Sequence, residues 1–62
     1  MRILIVEDER LIALMLTDSL ERGGHYVMGP ASTMAEALAL CELALPELAL
    51  LDIIDLAWVV LN

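Results

Sequence analysis

The fold of this 62-residue chain is decided by a stretch near its start, Ile3-Leu4-Ile5-Val6-Glu7-Asp8-Glu9. Four apolar residues in a row, without the alternation of a half-exposed strand, are typical of a strand buried on both faces of a parallel sheet. The three acids then end the strand, and we expect Asp8 to cap a helix that runs from Glu9 to Arg22. The stretch therefore predicts an α/β fold that begins with a buried strand.

The rest of the chain continues this strand–helix order. The elements predicted after the first helix are a strand at 25–28, a helix at 33–45 and a buried strand at 48–51. Gly29-Pro30 ends the second strand, and Thr33 with Glu36 has the spacing of a capping box at the start of the second helix. Each crossover is long enough for a right-handed parallel connection. We therefore expect an α/β fold with a parallel sheet and βαβαβ order along the chain, and we adopt the strand order 2-1-3 that is usual for such sheets.

The first helix is predicted to be amphipathic. On a wheel of about 100° per residue, one face is shared by Ile12, Met15, Leu16, Ser19 and Leu20. We expect this face to pack on the sheet. Gly23-Gly24 then supplies the left-handed backbone that ends a helix.

Composition and charge exclude several classes of protein. Ten acidic residues and three arginines, with no lysine, give a net charge of −7, which argues against binding to nucleic acid or to an anionic membrane surface. The apolar fraction of 61% rules out intrinsic disorder, and acids interrupt every apolar run before it could span a membrane. With one cysteine and no signal peptide, the chain is expected to be cytoplasmic.

Acidic residues follow two of the predicted strands. Glu7 and Asp8 come after the first strand, and Asp52 comes after the third. With strand order 2-1-3 these two strand ends are neighbours, at the edge where open parallel α/β sheets form their sites. Like charges repel and no lysine offsets them, so Mg²⁺ is a natural counter-charge. Any one of these acids could merely cap a helix or solvate a loop, but together they favour a metal site.

These residues also carry a resemblance to a known family. The stretches at 2–9 and 46–53, together with Gly29-Pro30-Ala31 and Glu36-Ala37-Leu38, resemble the N-terminal half of a response-regulator receiver domain of bacterial two-component signalling. The resemblance implies a flavodoxin-like fold, truncated here after the third strand. It also implies that residues 1–55 are a partial receiver domain and that 56–62 are an unassigned apolar tail.

The resemblance implies a phosphorylation switch. Asp52 matches the phosphoacceptor aspartate, Asp8 the direct Mg²⁺ ligand, and Glu7 the acid that reaches the metal through water. The backbone carbonyl of Ile54 would complete the metal ligands that the protein supplies. The phosphoryl donor would be a histidine kinase or a phosphotransfer protein, and the chain itself would not be an enzyme.

The chain also departs from the family pattern. A complete receiver continues into further strands, which supply a Ser or Thr that senses the phosphoryl group and a lysine that pairs with it; this chain contains no lysine. An alternative function is therefore a switch-dead receiver fragment that acts only as a protein–protein association module. A small Mg²⁺-dependent phosphatase-like enzyme is the least favoured alternative, because such enzymes usually use a lysine. For the chain alone we expect a homo-oligomer formed through the exposed sheet edge of the third strand.

Overall fold

Strands and helices alternate along residues 1–52, the part of the chain that the computed structural model describes. The elements are β1 (Arg2–Glu7), α1 (Arg10–Arg22), β2 (Tyr26–Ala31), α2 (Met34–Leu43) and β3 (Leu48–Asp52). Both strand pairs are parallel and the strand order is β2-β1-β3, which confirms the predicted α/β class and is consistent with the first three strands of a flavodoxin-like fold. Neither described helix is long and apolar enough to cross a membrane. The predicted boundary at residue 55, the tail at 56–62 and the Ile54 carbonyl lie outside the described residues.

β1 is the centre of the sheet and of the core. Its residues Ile3 to Val6 are all buried, and Ile5 and Val6 have essentially no exposed surface. The two connections run in opposite directions across the sheet, so the right-handed rule for parallel crossovers places α1 and α2 on opposite faces of β1. Leu4 and Val6 pack in one cluster with residues of α2, while alternate residues of the strand point to the other face. This position explains why β1 needs an unbroken apolar run.

The N-terminus of α1 differs from the prediction. Glu9, not Asp8, is the N-cap residue, and no side chain caps the helix. The Glu7 carboxylate at the end of β1 instead accepts a hydrogen bond from the Glu9 N–H at 3.0 Å, so Asp8 is left exposed. At the other end Gly23 is the C-cap residue and Gly24 has a φ of +86°, as the glycine pair predicts.

The face of α1 that packs on the sheet is also different. Ala13 is the buried residue of the helix, and Leu16, Thr17 and Leu20 are half-buried beside it. The Thr17 hydroxyl donates to the Ala13 carbonyl at 2.8 Å, which satisfies its polar group within the helix. The remaining residues of the predicted face, Ile12, Met15 and Ser19, are exposed.

Gly29 and Pro30 lie inside β2 and do not end it as predicted. Leu4 pairs with Met28 and Val6 with Ala31, so β2 carries one extra residue over this interval, a β-bulge. Gly29 has a φ of +96°, and a Cβ built on it would lie 2.6 Å from the Ala31 nitrogen. Pro30 is tolerated because β2 pairs with a strand on one side only within residues 1–52.

The capping box of α2 forms in a modified way. The Thr33 hydroxyl accepts the Glu36 N–H at 3.1 Å, as predicted. The Glu36 carboxylate, however, accepts mainly from Ser32, with 2.7 Å to the Ser32 N–H and 2.9 Å to its hydroxyl. The helix ends at Leu43, two residues before the predicted end.

The Thr33 cap gives a first testable prediction. Thr33→Ala removes the acceptor of the Glu36 N–H and should lower the free energy of unfolding by about 1 kcal/mol. Urea unfolding followed by circular dichroism measures this loss. Thr33→Ser keeps a hydroxyl in place and should be close to the original chain. Equal losses for the two variants would show that the hydroxyl does not stabilise α2.

The Glu36 carboxylate gives a prediction about pH. The hydrogen bonds from the Ser32 backbone and then from its side chain lower the pKa of Glu36 below its ordinary 4.5. A carboxyl whose pKa is lower in the folded state stabilises the fold above the unfolded pKa, and this contribution is lost as the pH falls through the folded value. Glu36→Gln should therefore destabilise the chain at neutral pH, and the difference should shrink as the pH falls below 4.5. Urea unfolding across this range measures it, with Glu42→Gln, an exposed acid of the same helix, as the control. A difference that does not change with pH would contradict the assignment.

β3 is less buried than the sequence predicts. Leu48 and Leu51 remain 47% and 55% exposed, and Asp52 is exposed at the end of the strand. Within residues 1–52 the strand pairs with β1 on one side, and its other side has no described neighbour. β3 is therefore an edge strand of the described sheet.

Candidate functional site

The ends of β1 and β3 bring two of the predicted acids together. Glu7 and Asp52 are direct partners in the parallel register of these strands. Adjacent strands lie about 4.8 Å apart, so the two carboxyl side chains start from neighbouring backbone positions. This is the juxtaposition that strand order 2-1-3 predicts.

The Glu7 carboxylate is buried although it is ionisable. Glu7 is only 3% exposed and is the one buried charged residue within residues 1–52. One oxygen, Oε1, accepts the Glu9 N–H, but the other, Oε2, is buried and has no hydrogen-bond partner among the described atoms. A buried carboxylate oxygen without a partner is costly, so a proton or a cation is needed to compensate it.

The pKa of Glu7 also reflects the burial of its carboxylate and the negative charges near it. The largest influence is the hydrogen bond from the Glu9 backbone, which lowers the pKa. Burial and the neighbouring carboxyl groups of Asp52 and Asp8 together outweigh it, so that the pKa of Glu7 is raised above 4.5. A cation beside these carboxylates would favour the ionised form of Glu7.

The third predicted acid, Asp8, lies near this pair, but the three side chains do not form a complete metal site. Asp8 is exposed, and its charge acts on Glu7. Within residues 1–52 no group of three or more His, Cys, Asp or Glu side chains is arranged so that it could hold a metal ion. The structure thus brings Glu7 and Asp52 together and leaves Asp8 turned to solvent. The donor chemistry still fits a hard cation, because all the side-chain ligands are carboxylate oxygens and one of them is buried without a partner.

A cavity of about 380 Å³ opens beside these acids. It is lined by Glu7, Asp8, Arg10, Ala13, Leu14, Pro30 and Ser32. Arg10, which the sequence analysis did not assign to the site, lines the same cavity as Glu7 and Asp8. The signal for this was its position at the start of the helix that directly follows them. Pro30 and Ser32 were also missed, because Gly29-Pro30 was interpreted only as the end of a strand.

Comparison with known proteins gives one kind of relative. Over 52 residues the chain is 40% identical to the transcriptional regulatory protein PdtaR of Mycobacterium tuberculosis, in each of two strains. The match covers 84% of this chain and 25% of the relative, so the chain spans about a quarter of the length of the curated relatives it matches. No family model and no solved structure matches the chain. The likeness fits a response-regulator receiver domain, which confirms the resemblance carried by the motifs.

Proposed function

We propose that this chain, as a receiver domain of a two-component response regulator, accepts a phosphoryl group on Asp52 with Mg²⁺ bound beside it. The observation that carries the proposal is the register pairing of Glu7 with Asp52, with an unpartnered, buried carboxylate oxygen on Glu7. The similarity to a transcriptional regulatory protein supports the signalling role. On this proposal the chain is a cytoplasmic phosphoacceptor and not an enzyme, and its partner is a histidine kinase or a phosphotransfer protein.

Three side chains would hold the Mg²⁺: Glu7, Asp8 and Asp52. Mg²⁺ in proteins usually takes one or two carboxylates and keeps several waters, so the close pair of Glu7 and Asp52 provides the base of such a site. Asp8 is exposed and directly follows β1, so its side chain can turn toward the pair without disturbing the core. The Ile54 carbonyl stays a prediction as a fourth ligand. When bound, the ion would neutralise charge on the oxygens of the transferred group.

Exposure favours Asp52 over Glu7 as the nucleophile. Asp52 is exposed at the end of β3, where a phosphoryl donor can reach it, whereas Glu7 is buried and one of its oxygens is hydrogen-bonded. An oxygen of the Asp52 carboxylate attacks the phosphorus of a phosphohistidine, and the new O–P bond forms as the P–N bond breaks. The departing imidazole nitrogen keeps the electron pair of that bond and is neutralised by a proton from solvent.

A trapping experiment tests this function on the 62-residue chain. The chain is incubated with Mg²⁺ and acetyl phosphate, and borohydride is then added to reduce any aspartyl phosphate to homoserine. Peptide mass spectrometry locates the modified residue. Homoserine at position 52 supports the proposal. Modification at another acid, or none with the donor present, overturns it and leaves the association module as the function.

The exposed edge of β3 favours that second candidate, an association module. Leu48 and Leu51 are about half exposed on a strand whose second side has no described neighbour. Such an edge offers open backbone hydrogen-bonding groups beside apolar side chains, which is a template for pairing with another chain. A second copy of this chain is the partner expected from the sequence.

We therefore expect the isolated chain to form a dimer or a higher oligomer at micromolar concentration. Leu51→Lys places a charge on the edge strand and should shift the chain toward monomer. Leu11→Lys changes an exposed leucine of α1 in the same way and should leave the oligomer unchanged. Sedimentation velocity measures all three chains. A folded, monodisperse monomer for the unmodified chain would contradict the expectation.

A further inference from the structure

An apolar groove lies between α2 and β2, away from the acidic site. Two adjoining cavities of about 490 and 240 Å³ share Gly29, Leu40 and Leu43 in their lining. We call this surface the α2–β2 groove and define it by Tyr26, Gly29, Pro30, Ala39, Leu40 and Leu43. It follows the outer side of β2, at the opposite end of the described sheet from β3. A strand or chain that pairs with β3 therefore does not cover it.

Large apolar side chains are left exposed along this groove. Leu43 is 83% exposed and Tyr26 is 68% exposed. Leu40, one turn before Leu43, is half-buried against the core and lines both cavities. A concave surface with exposed apolar residues next to a partly buried one is typical of a docking site for another chain.

The backbone of β2 restricts how an occupant can dock. Pro30 has no N–H to donate, and the left-handed Gly29 interrupts the register of the strand. Strand addition along this edge is therefore disfavoured over its second half. An occupant would bind through side chains placed in the groove.

The charges around the groove favour a positively charged partner. Residues 26–44 contain two acids, Glu36 and Glu42, and no lysine or arginine. Glu36 lines the larger cavity, and the hydrogen bonds from Ser32 lower its pKa, so that it is ionised at neutral pH. A second copy of the chain fits this groove less well than a basic partner, because the chain has only three arginines and no lysine with which to pair Glu36.

We propose that the α2–β2 groove binds a basic amphipathic helix of a partner protein. Two apolar side chains of that helix, one turn apart, would lie against Leu40 and Leu43, and an arginine or lysine next to them would pair with Glu36. The exposed Tyr26 ring would close one end of the contact. This binding is separate from phosphoryl transfer at Asp52.

A designed peptide tests the proposal on the full 62-residue chain. The probe is a fluorescein-labelled helical peptide with leucine at every third and fourth position and arginine elsewhere, and binding is followed by fluorescence anisotropy. Leu43→Ser, at a side chain that is largely exposed, should weaken binding roughly tenfold. Leu11→Ser removes an exposed leucine of α1 and should leave the affinity unchanged. Circular dichroism confirms that both variants are folded.

Further probes distinguish this docking from charge attraction and from self-association. The same peptide with alanine in place of leucine, or with glutamate in place of arginine, should bind much more weakly. Equal binding of the alanine peptide, or equal affinity of the unmodified chain and Leu43→Ser, would overturn the proposal. So would sedimentation showing that Leu43→Ser dissolves an oligomer, because a second copy would then be the occupant.

Discussion

Asp52→Asn is expected to abolish the formation of aspartyl phosphate on this chain. The substitution replaces an anionic oxygen nucleophile with a neutral amide at the exposed end of β3. Glu7 cannot take over the reaction, because it is 3% exposed and its Oε1 accepts the Glu9 N–H. Homoserine produced by borohydride trapping should therefore fall to background. Because the chain has no lysine to pair with the phosphoryl group, we expect a short-lived product, which is why trapping is needed.

The matched control for this experiment is Asp18→Asn. Asp18 is an exposed acid of α1 that pairs with Arg22 at 3.0 Å, one helical turn away. Its replacement removes the same charge as Asp52→Asn but leaves both strand ends intact, so trapping at residue 52 should continue. If Asp52→Asn is still modified, for example at Asp8, then Asp52 is not the phosphoacceptor.

Asp8→Asn is expected to weaken Mg²⁺ binding roughly tenfold or more, because a charged ligand is replaced by a neutral one. Asp8 is the exposed acid next to the Glu7–Asp52 pair, and its charge already acts on Glu7. Isothermal titration with MgCl₂ measures the change in affinity. Glu9→Gln is the control, since it removes the same charge from the next residue, which is also exposed. Equal losses for the two variants would mean that Mg²⁺ responds only to net charge and that Asp8 is not a ligand.

The strand order and the acidic site could be predicted because both depend on strong local patterns. An unbroken apolar run such as Ile3 to Val6 is typical of a strand covered on both faces, and two long crossovers allow its neighbours to be parallel. Once the order β2-β1-β3 is set, Glu7 and Asp52 must lie side by side. The family resemblance added the roles of these acids, which charge and spacing alone do not assign.

The details that depend on tertiary contacts could not be predicted. The hydrophobic periodicity of α1 predicts that its face with the large apolar side chains packs on the sheet. In the structure the helix instead contacts the sheet through the small Ala13, and Ile12 and Met15 are exposed. Gly29-Pro30 has the composition of a strand end, yet β2 continues through it as a bulge and pairs again with β1 at Ala31. In each case the packing of neighbouring elements outweighs the local signal.

The most direct test of a cation-dependent acceptor at the ends of β1 and β3 is a Mg²⁺ titration of the ¹⁵N-labelled chain followed by amide chemical shifts. We predict that the largest shifts occur at Glu7, Asp8 and Asp52, and that they follow a single saturable curve. Shifts that are largest at acids far from these strand ends, such as Glu21 or Glu42, or that are absent at Glu7 and Asp52, would contradict the account.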